Sequence, residues 1–223
     1  MEDSMKKTFL LAAAFVSAVL LMSCSEKLPS LSGDEALEAF DDAENIYMLG
    51  NIKAVNDSSK VIAGDVVCGK VKERGLFDPQ IAYYLDGKEQ FYIKFDTFDN
   101  PELDGGTTYG YYDKDKNFYG YMQNLIFDRD LGFVYGFYDS DLNLKNYYLK
   151  SNGDLTSDLG RYGGTIYCMD GRKVGYVSTE RRGLSSKFDI DIVLGEAVSE
   201  LSIMDKVAIY WVVANELSST YKH

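Results

Sequence analysis

Residues 111–121 read Tyr-Tyr-Asp-Lys-Asp-Lys-Asn-Phe-Tyr-Gly-Tyr, in which an aromatic strand end is followed by a polar turn and a glycine–aromatic strand. Four other segments carry variants of this order: Tyr84–Lys88, Phe127–Gly132, Tyr138–Asn143 and Tyr167–Arg172. Asp, Asn and Gly are the residues that tolerate the left-handed backbone of tight hairpins. The pattern therefore predicts a series of β-hairpins.

Valine, tyrosine and phenylalanine dominate the segments between these turns from Val61 onward, which is typical of β-strands. The alternating segment Phe188–Leu194 predicts one more strand, which Gly195 ends. A single hairpin is barely stable in water, so several must pack around a shared centre. The fold class predicted is mainly β.

At these turns, over roughly residues 60–180, the chain resembles the β-flower family of small bacterial proteins. The resemblance rests on the aromatic-Asp-x-x-Gly/Asn turn that is followed by Gly-Tyr. It implies aromatic hairpin repeats arranged radially, like petals around an axis, with an apolar C-terminal segment. It implies no particular activity.

Two helices are predicted to flank the β repeats. Ser32-x-x-Glu35 fits a capping box, and Ala36, Phe40, Ala43 and Tyr47 share one helical face that would extend to Gly50. Near the other end, the apolar block 207–214 favours a helix within residues 196–217, although such a run also fits a buried strand. This C-terminal helix is expected to pack on the core.

The first residues have the layout of an export signal. The basic pair Lys6-Lys7 precedes an apolar run that ends at Met22. Leu21-Met22-Ser23-Cys24 resembles the lipobox of bacterial lipoproteins, in which the cysteine is acylated, for example by palmitate. We expect a signal peptide over 1–23, a lipidated tether over 24–33 that begins at Cys24, and one β-repeat domain over 34–223.

The expected location is the bacterial cell envelope, where the membrane is a partner through the lipid anchor. Ser25 follows the cysteine, and by the sorting rules of two-membrane bacteria a residue other than aspartate predicts the outer membrane, on its periplasmic or surface face. With 35 acidic and 23 basic side chains, the net charge is -12. A nucleic-acid partner is excluded, because such binders need a basic face.

Cys68 and Cys168 are the thiols that remain if Cys24 is lipidated. In an oxidising compartment they would form a disulfide, or they would stay as two buried apolar side chains, and the sequence leaves both alternatives open. Neither lies in a Cys-x-x-Cys or Cys-His arrangement. Redox catalysis and zinc binding are therefore not expected.

Three turns carry alternate oxygen ligands like the beginning of a calcium loop: Asp113-x-Asp115-x-Asn117, Asp128-x-Asp130-x-Gly132 and Asp139-x-Asp141-x-Asn143. A complete loop needs Gly at position six and Glu at position twelve. Only the loop that begins at Asp128 has a carboxylate at position twelve, Asp139. Asp128, Asp130 and Asp139 are thus weak candidates, and the sequence favours ordinary turns without metal or cofactor.

The sequence lacks recognised catalytic signatures. The single histidine is His223, the last residue, so a Ser-His or Cys-His mechanism has no base. The leading hypothesis is a non-enzymatic structural or binding module with an envelope protein as partner. The alternative is a carbohydrate-binding or carbohydrate-active surface lipoprotein that uses exposed tyrosines as platforms for glycans.

Overall fold

Twelve β-strands make up most of the residues that the computed structural model describes, which are 28–51, 58–75, 78–96, 107–128, 132–151, 163–182 and 187–220. Aromatic and β-branched residues alternate in these strands with polar ones, so one face of each strand is buried. The strands are β1 (Asn45–Asn51), β2 (Ser58–Ala63), β3 (Val66–Arg74), β4 (Gln80–Leu85), β5 (Lys88–Asp96), β6 (Thr108–Asp113), β7 (Phe118–Asp128), β8 (Gly132–Tyr138), β9 (Leu144–Ser151), β10 (Gly163–Cys168), β11 (Lys173–Arg181) and β12 (Lys187–Val193).

The strands form one closed antiparallel barrel. Each strand pairs with the next in chain order, and β1 closes the ring by pairing with β12 from Asn45↔Val193 to Asn51↔Lys187. The predicted mainly β class is confirmed. The radial petal arrangement is not confirmed, because neighbouring hairpins are hydrogen-bonded to one another in a continuous wall.

Five tight turns lie at the same end of the barrel, which we call the tight-turn end: those joining β2–β3, β4–β5, β6–β7, β8–β9 and β10–β11. Asp86 and Gly87 both have positive φ, 51° and 76°, as a two-residue hairpin requires. The sequence predicts a partly different set of five turn segments. Four of these are fully described and join antiparallel strands as expected. The fifth, at 127–132, contains residues 129–131, which lie outside the described residues.

The lumen of the barrel is occupied by a C-terminal helix, α2, which follows the helix α1 (Gly33–Asp41) in chain order and spans Ile203–Thr220. Every residue from Val207 to Val213 is buried, so the helix is covered on all its faces. It contacts β1 and β7, which are diametrically opposite in a ring of twelve strands. The prediction of a buried C-terminal helix is confirmed, although it begins at Ile203 because residues 195–199 form a 3-10 helix.

Helix α1 packs at the tight-turn end with Ala36 and Phe40 buried, as predicted. The predicted extension to Gly50 is wrong, because Tyr47 lies in β1. That segment pairs with both β12 and β2, and this pairing satisfies two rows of backbone groups that a helix would leave as open edges. The predicted capping box is also wrong, since the Ser32 side chain makes no capping hydrogen bond.

None of the helices within the described ranges is long and apolar enough to span a bilayer.

Candidate functional site

Helix α2 enters the lumen at the tight-turn end through a capping box that sequence analysis did not identify. The Ser202 backbone N–H donates to Asp205 Oδ2 at 2.8 Å, and the Asp205 N–H donates back to Ser202 Oγ at 3.3 Å. This reciprocal pair satisfies amides that the first helical turn leaves without partners. It fixes where the helix begins inside the barrel.

Asp205 also ties the helix to the barrel wall, although its side chain is 0% exposed. Lys145 on β9 lies 2.5 Å from Asp205 Oδ2. The fully buried Tyr111 faces the same carboxylate, and burial followed by the Asp205 charge raises the pKa of its phenol. A buried carboxylate therefore has a cation and a helix N-terminus as its compensating partners.

Lys206 joins α2 to α1 through a second buried charge. Its ammonium donates to the backbone carbonyls of Phe40, at 3.3 Å, and of Asp41 at the end of α1. Burial lowers the pKa of Lys206, and Asp41 and Asp205 act in the opposite direction. The lysine thus stabilises the C-terminus of α1, where carbonyls lack partners.

At the other end of the lumen, the last turns of α2 meet a cluster of aromatic and acidic side chains. Tyr135 OH on β8 donates to Glu216 Oε1 at 2.5 Å, and Trp211 Nε1 lies 3.4 Å from Glu73 Oε1 on β3. The rings of Tyr109 and Phe95 pack against Trp211. Burial raises the pKa of Glu216 to about 7.

The raised pKa of Glu216 predicts a pH-dependent stability. The folded state holds the proton more tightly than the unfolded chain, so this contribution is complete below pH 4.5 and is lost as the pH rises through about 7. The shift corresponds to roughly 3 kcal/mol. We expect the wild type to lose stability between pH 5 and pH 8 in urea denaturation, and Glu216→Gln to lose much less.

Glutamine keeps the shape of the side chain and an oxygen that accepts a hydrogen bond from Tyr135. The variant therefore removes the titration of residue 216 without changing its packing. The difference between the two proteins also removes the contribution of other titrating groups, including Asp191, whose pKa is raised as well. An identical pH slope in the variant would show that Glu216 is ionised in the folded protein throughout this range.

The outer wall formed by β2–β5 combines cations with tyrosine rings. Lys70 lies over the ring of Tyr84, 5.8 Å from its centroid, and Arg74 lies over Tyr92 at 5.3 Å. Arg74 also forms a bidentate ion pair with Glu89. Cation–π contact with the rings stabilises the positions of the Lys70 and Arg74 side chains on the outer wall.

The wall of β11 and β12 contains equal numbers of acidic and basic residues, three of each. Arg182 Nε donates to Asp189 at 2.7 Å, and Tyr47 from β1 also donates to this carboxylate. Burial and the Asp189 contact raise the pKa of Tyr47 to about 12. The pKa of the neighbouring Asp191 is raised by burial and by the charges of Asp189 and Glu180. Asp189 therefore links β12 to β1 and to the residue that follows β11.

Tyrosines form stacked pairs elsewhere on the outer wall. Tyr148 stacks on Tyr167 at 5.3 Å between centroids, and Tyr121 stacks on Tyr138 at 4.4 Å. Single rings also reach solvent: Tyr119 is 51% exposed and Tyr176 is 44% exposed. The aromatic residues therefore divide between the core and the surface.

Cys68 and Cys168 are both buried and unbridged. They lie on β3 and β10, with β2, β1, β12 and β11 between them along the shorter arc of the barrel. A disulfide requires Cα atoms within about 7 Å, which such a separation does not allow. Of the two alternatives, the structure contains the buried thiols. The lipidation candidate Cys24 lies outside the described residues.

The calcium candidates have ordinary turn geometry wherever the structure describes them. Asp139 Oδ1 accepts hydrogen bonds from the backbone N–H groups of Asp141 and Asn143, both at 2.9 Å. Asp113 makes the same two bonds in the β6–β7 turn. The described residues contain no group of three or more metal-ligating side chains. Asp130 lies outside the described residues, and the structure does not describe the side chain of Asp128.

The sequence contained a signal for some of the polar contacts that were missed. Ser202-x-x-Asp205 matches a capping-box pattern directly before the apolar block. Lys145 and Glu216 carry no such signal, because their partners lie 60 and 81 residues away along the chain.

Comparisons with protein-family models, with curated proteins and with solved structures found no match to this chain.

Proposed function

We propose that this chain is a lipid-anchored, non-enzymatic structural or binding module of the bacterial cell envelope, which meets its partners with its outer wall. The observation that supports this use of the wall is the position of α2. Because its buried side chains contact opposite walls, the helix takes the space in which a barrel would otherwise hold a small ligand.

The titratable groups with unusual environments support a non-enzymatic role. Lys206, Asp205 and Glu216 all bind protein groups that position α1 or α2. A shifted pKa, as in Lys206 and Glu216, also arises in structural networks, so it does not by itself mark a catalytic site. We interpret them as anchors of the lumen helix.

The lipid anchor is proposed from Leu21-Met22-Ser23-Cys24, with the outer membrane as its location. We expect a labelled fatty acid such as palmitate to be incorporated into the wild-type protein in producing cells and not into Cys24→Ala. The label is detected on the purified full chain. Cys68→Ala serves as a matched control that keeps the label, and equal labelling of Cys24→Ala would refute the anchor.

Membership of the β-flower family is likewise a proposal, supported by the turn motifs.

A second candidate function, carbohydrate binding, is supported by the exposed rings of Tyr119 and Tyr176. A flat apolar ring with a hydroxyl group is a good contact for a sugar. Retention of the protein on a glycan array would favour this candidate over the first.

A further inference from the structure

The segment before α1 is fixed against the barrel at one place. The Leu31 N–H donates to the Val67 carbonyl at 3.0 Å, and the Val67 N–H donates to the Pro29 carbonyl at 2.8 Å. The Gly33 N–H donates to Asp86 in the β4–β5 turn at 2.9 Å. Residues 29–33 are thus held between the β2–β3 and β4–β5 hairpins.

This attachment limits how far the barrel can lie from a lipid at Cys24. Leu28 is 42% exposed, and Cys24 precedes it by four residues. Four extended residues reach at most about 14 Å. An anchor at Cys24 would therefore hold this part of the barrel close to the membrane surface.

Two surfaces lie within this reach, and they differ in charge. The tight-turn end is covered by α1, whose exposed side chains include Asp34, Glu35 and Glu38. The adjoining wall of β2–β5 contains three acidic residues against six basic ones: Lys60, Lys70, Lys72, Arg74, Lys88 and Lys94. In a chain with a net charge of -12, such a basic wall is a local exception.

The three lysines at the centre of this wall are available for a partner. Lys60, Lys70 and Lys72 are exposed, and within the described residues none of them forms an ion pair with a carboxylate. Of the acidic residues nearby, Glu89 pairs with Arg74, and Glu73 accepts a hydrogen bond from Trp211.

The positions of these lysines are unfavourable for the isolated barrel. Lys60 is directly opposite Lys70 in the β2–β3 register, and Lys72 lies two residues further along the same face. Like charges directly opposite each other on a sheet destabilise it. An anionic surface placed against the wall would relieve this repulsion.

We propose that the wall of β2–β5, with Lys60, Lys70 and Lys72 at its centre, lies on the anionic phospholipid headgroups of the membrane that holds the anchor. This inference rests on the proposed lipid anchor at Cys24. The tyrosines beside the cations suit such a surface, because their rings are apolar and their hydroxyls remain hydrated.

The test is acetylation of lysines, read by mass spectrometry, on the lipidated full chain purified from producing cells. The protein is reconstituted into vesicles of phosphatidylglycerol and phosphatidylcholine, into vesicles of phosphatidylcholine alone, and into detergent micelles. Each lysine near an anionic surface strengthens the binding of the protein to that surface by about fivefold. We therefore expect the acetylation rates of Lys60, Lys70 and Lys72 to fall by on the order of tenfold or more on the anionic vesicles. The exposed lysines Lys114 and Lys116 in the β6–β7 turn should react equally in all three.

Two double variants with the same change in net charge show whether the protection of Lys60 depends on the β2–β5 wall. Lys70→Glu combined with Lys72→Glu should abolish the protection of Lys60 on anionic vesicles. The matched control, Lys114→Glu combined with Lys116→Glu, should leave that protection unchanged.

Vesicle flotation measures attachment through the lipid anchor, independently of contact between the β2–β5 wall and the membrane. A chain that floats with the vesicles while Lys60, Lys70 and Lys72 react as fast as Lys114 would overturn the lipid-facing wall and leave the anchor intact. Equal protection on neutral vesicles would also overturn it, since the contact would then not depend on anionic lipid. A chain that does not float because Cys24 carries no lipid would refute the anchor, and the proposed wall with it.

Discussion

Ile209→Asp is expected to abolish cooperative folding of the barrel. Ile209 lies in the middle of α2 and is 0% exposed, in a part of the helix that is buried on every side. A carboxylate at this position would be shut off from water, and the cations at the preceding helical turn already have partners: Lys145 pairs with Asp205, and Lys206 donates to the end of α1. Burying an unpaired charge costs several kcal/mol, out of the roughly 5 to 15 kcal/mol that stabilise a typical domain.

The measurement is urea denaturation followed by circular dichroism, with Leu142→Asp as the matched control. Leu142 is 44% exposed in the β8–β9 turn and has a φ of 67°, a conformation that aspartate adopts more readily than leucine. The control should unfold near the wild-type midpoint. If Ile209→Asp also unfolds cooperatively at that midpoint, α2 is not required in the lumen and is a detachable segment.

The β-hairpins were predictable because each is specified by a few adjacent residues. Asp86-Gly87 dictates a tight turn by backbone conformation alone, and Asp139 closes its turn with bonds to amides two and four residues away. The lumen helix was predictable for a similar reason, because seven consecutive buried residues belong to one apolar block. Local chemistry determines each of these features.

Barrel closure was not predictable, because it depends on pairing between the two ends of the β-rich segment. Asn45 pairs with Val193, and this long-range register turns residues 45–51 into a strand although Ala36, Phe40, Ala43 and Tyr47 have helical spacing. Tertiary hydrogen bonding overrides a local pattern here. The charge pattern of the outer wall also depends on strand register, here within the β2–β3 hairpin, where Lys60 lies opposite Lys70.

Asp205→Ala is expected to destabilise the protein by about 3 to 5 kcal/mol, as the loss of one partner of a buried ion pair does. The substitution removes the capping box with Ser202 and leaves the Lys145 ammonium, whose side chain is only 19% exposed, without its carboxylate. Lys145 would retain the Glu200 carbonyl at 3.5 Å, which is a weak replacement. The free energy of unfolding, measured in urea at pH 7, checks the size of the loss.

Two matched variants show whether the loss comes from the buried pair. Asp205→Asn keeps an oxygen for the Ser202 amide but has no charge for Lys145, so its stability should lie between wild type and Asp205→Ala. Glu196→Gln removes the charge of an exposed ion pair with Arg172, whose partners are 51% and 57% exposed, and should cost at most about 1 kcal/mol. Equal stability losses for Asp205→Ala and Glu196→Gln would mean that Asp205 is solvated, and that the helix is held in the lumen by its apolar side chains alone.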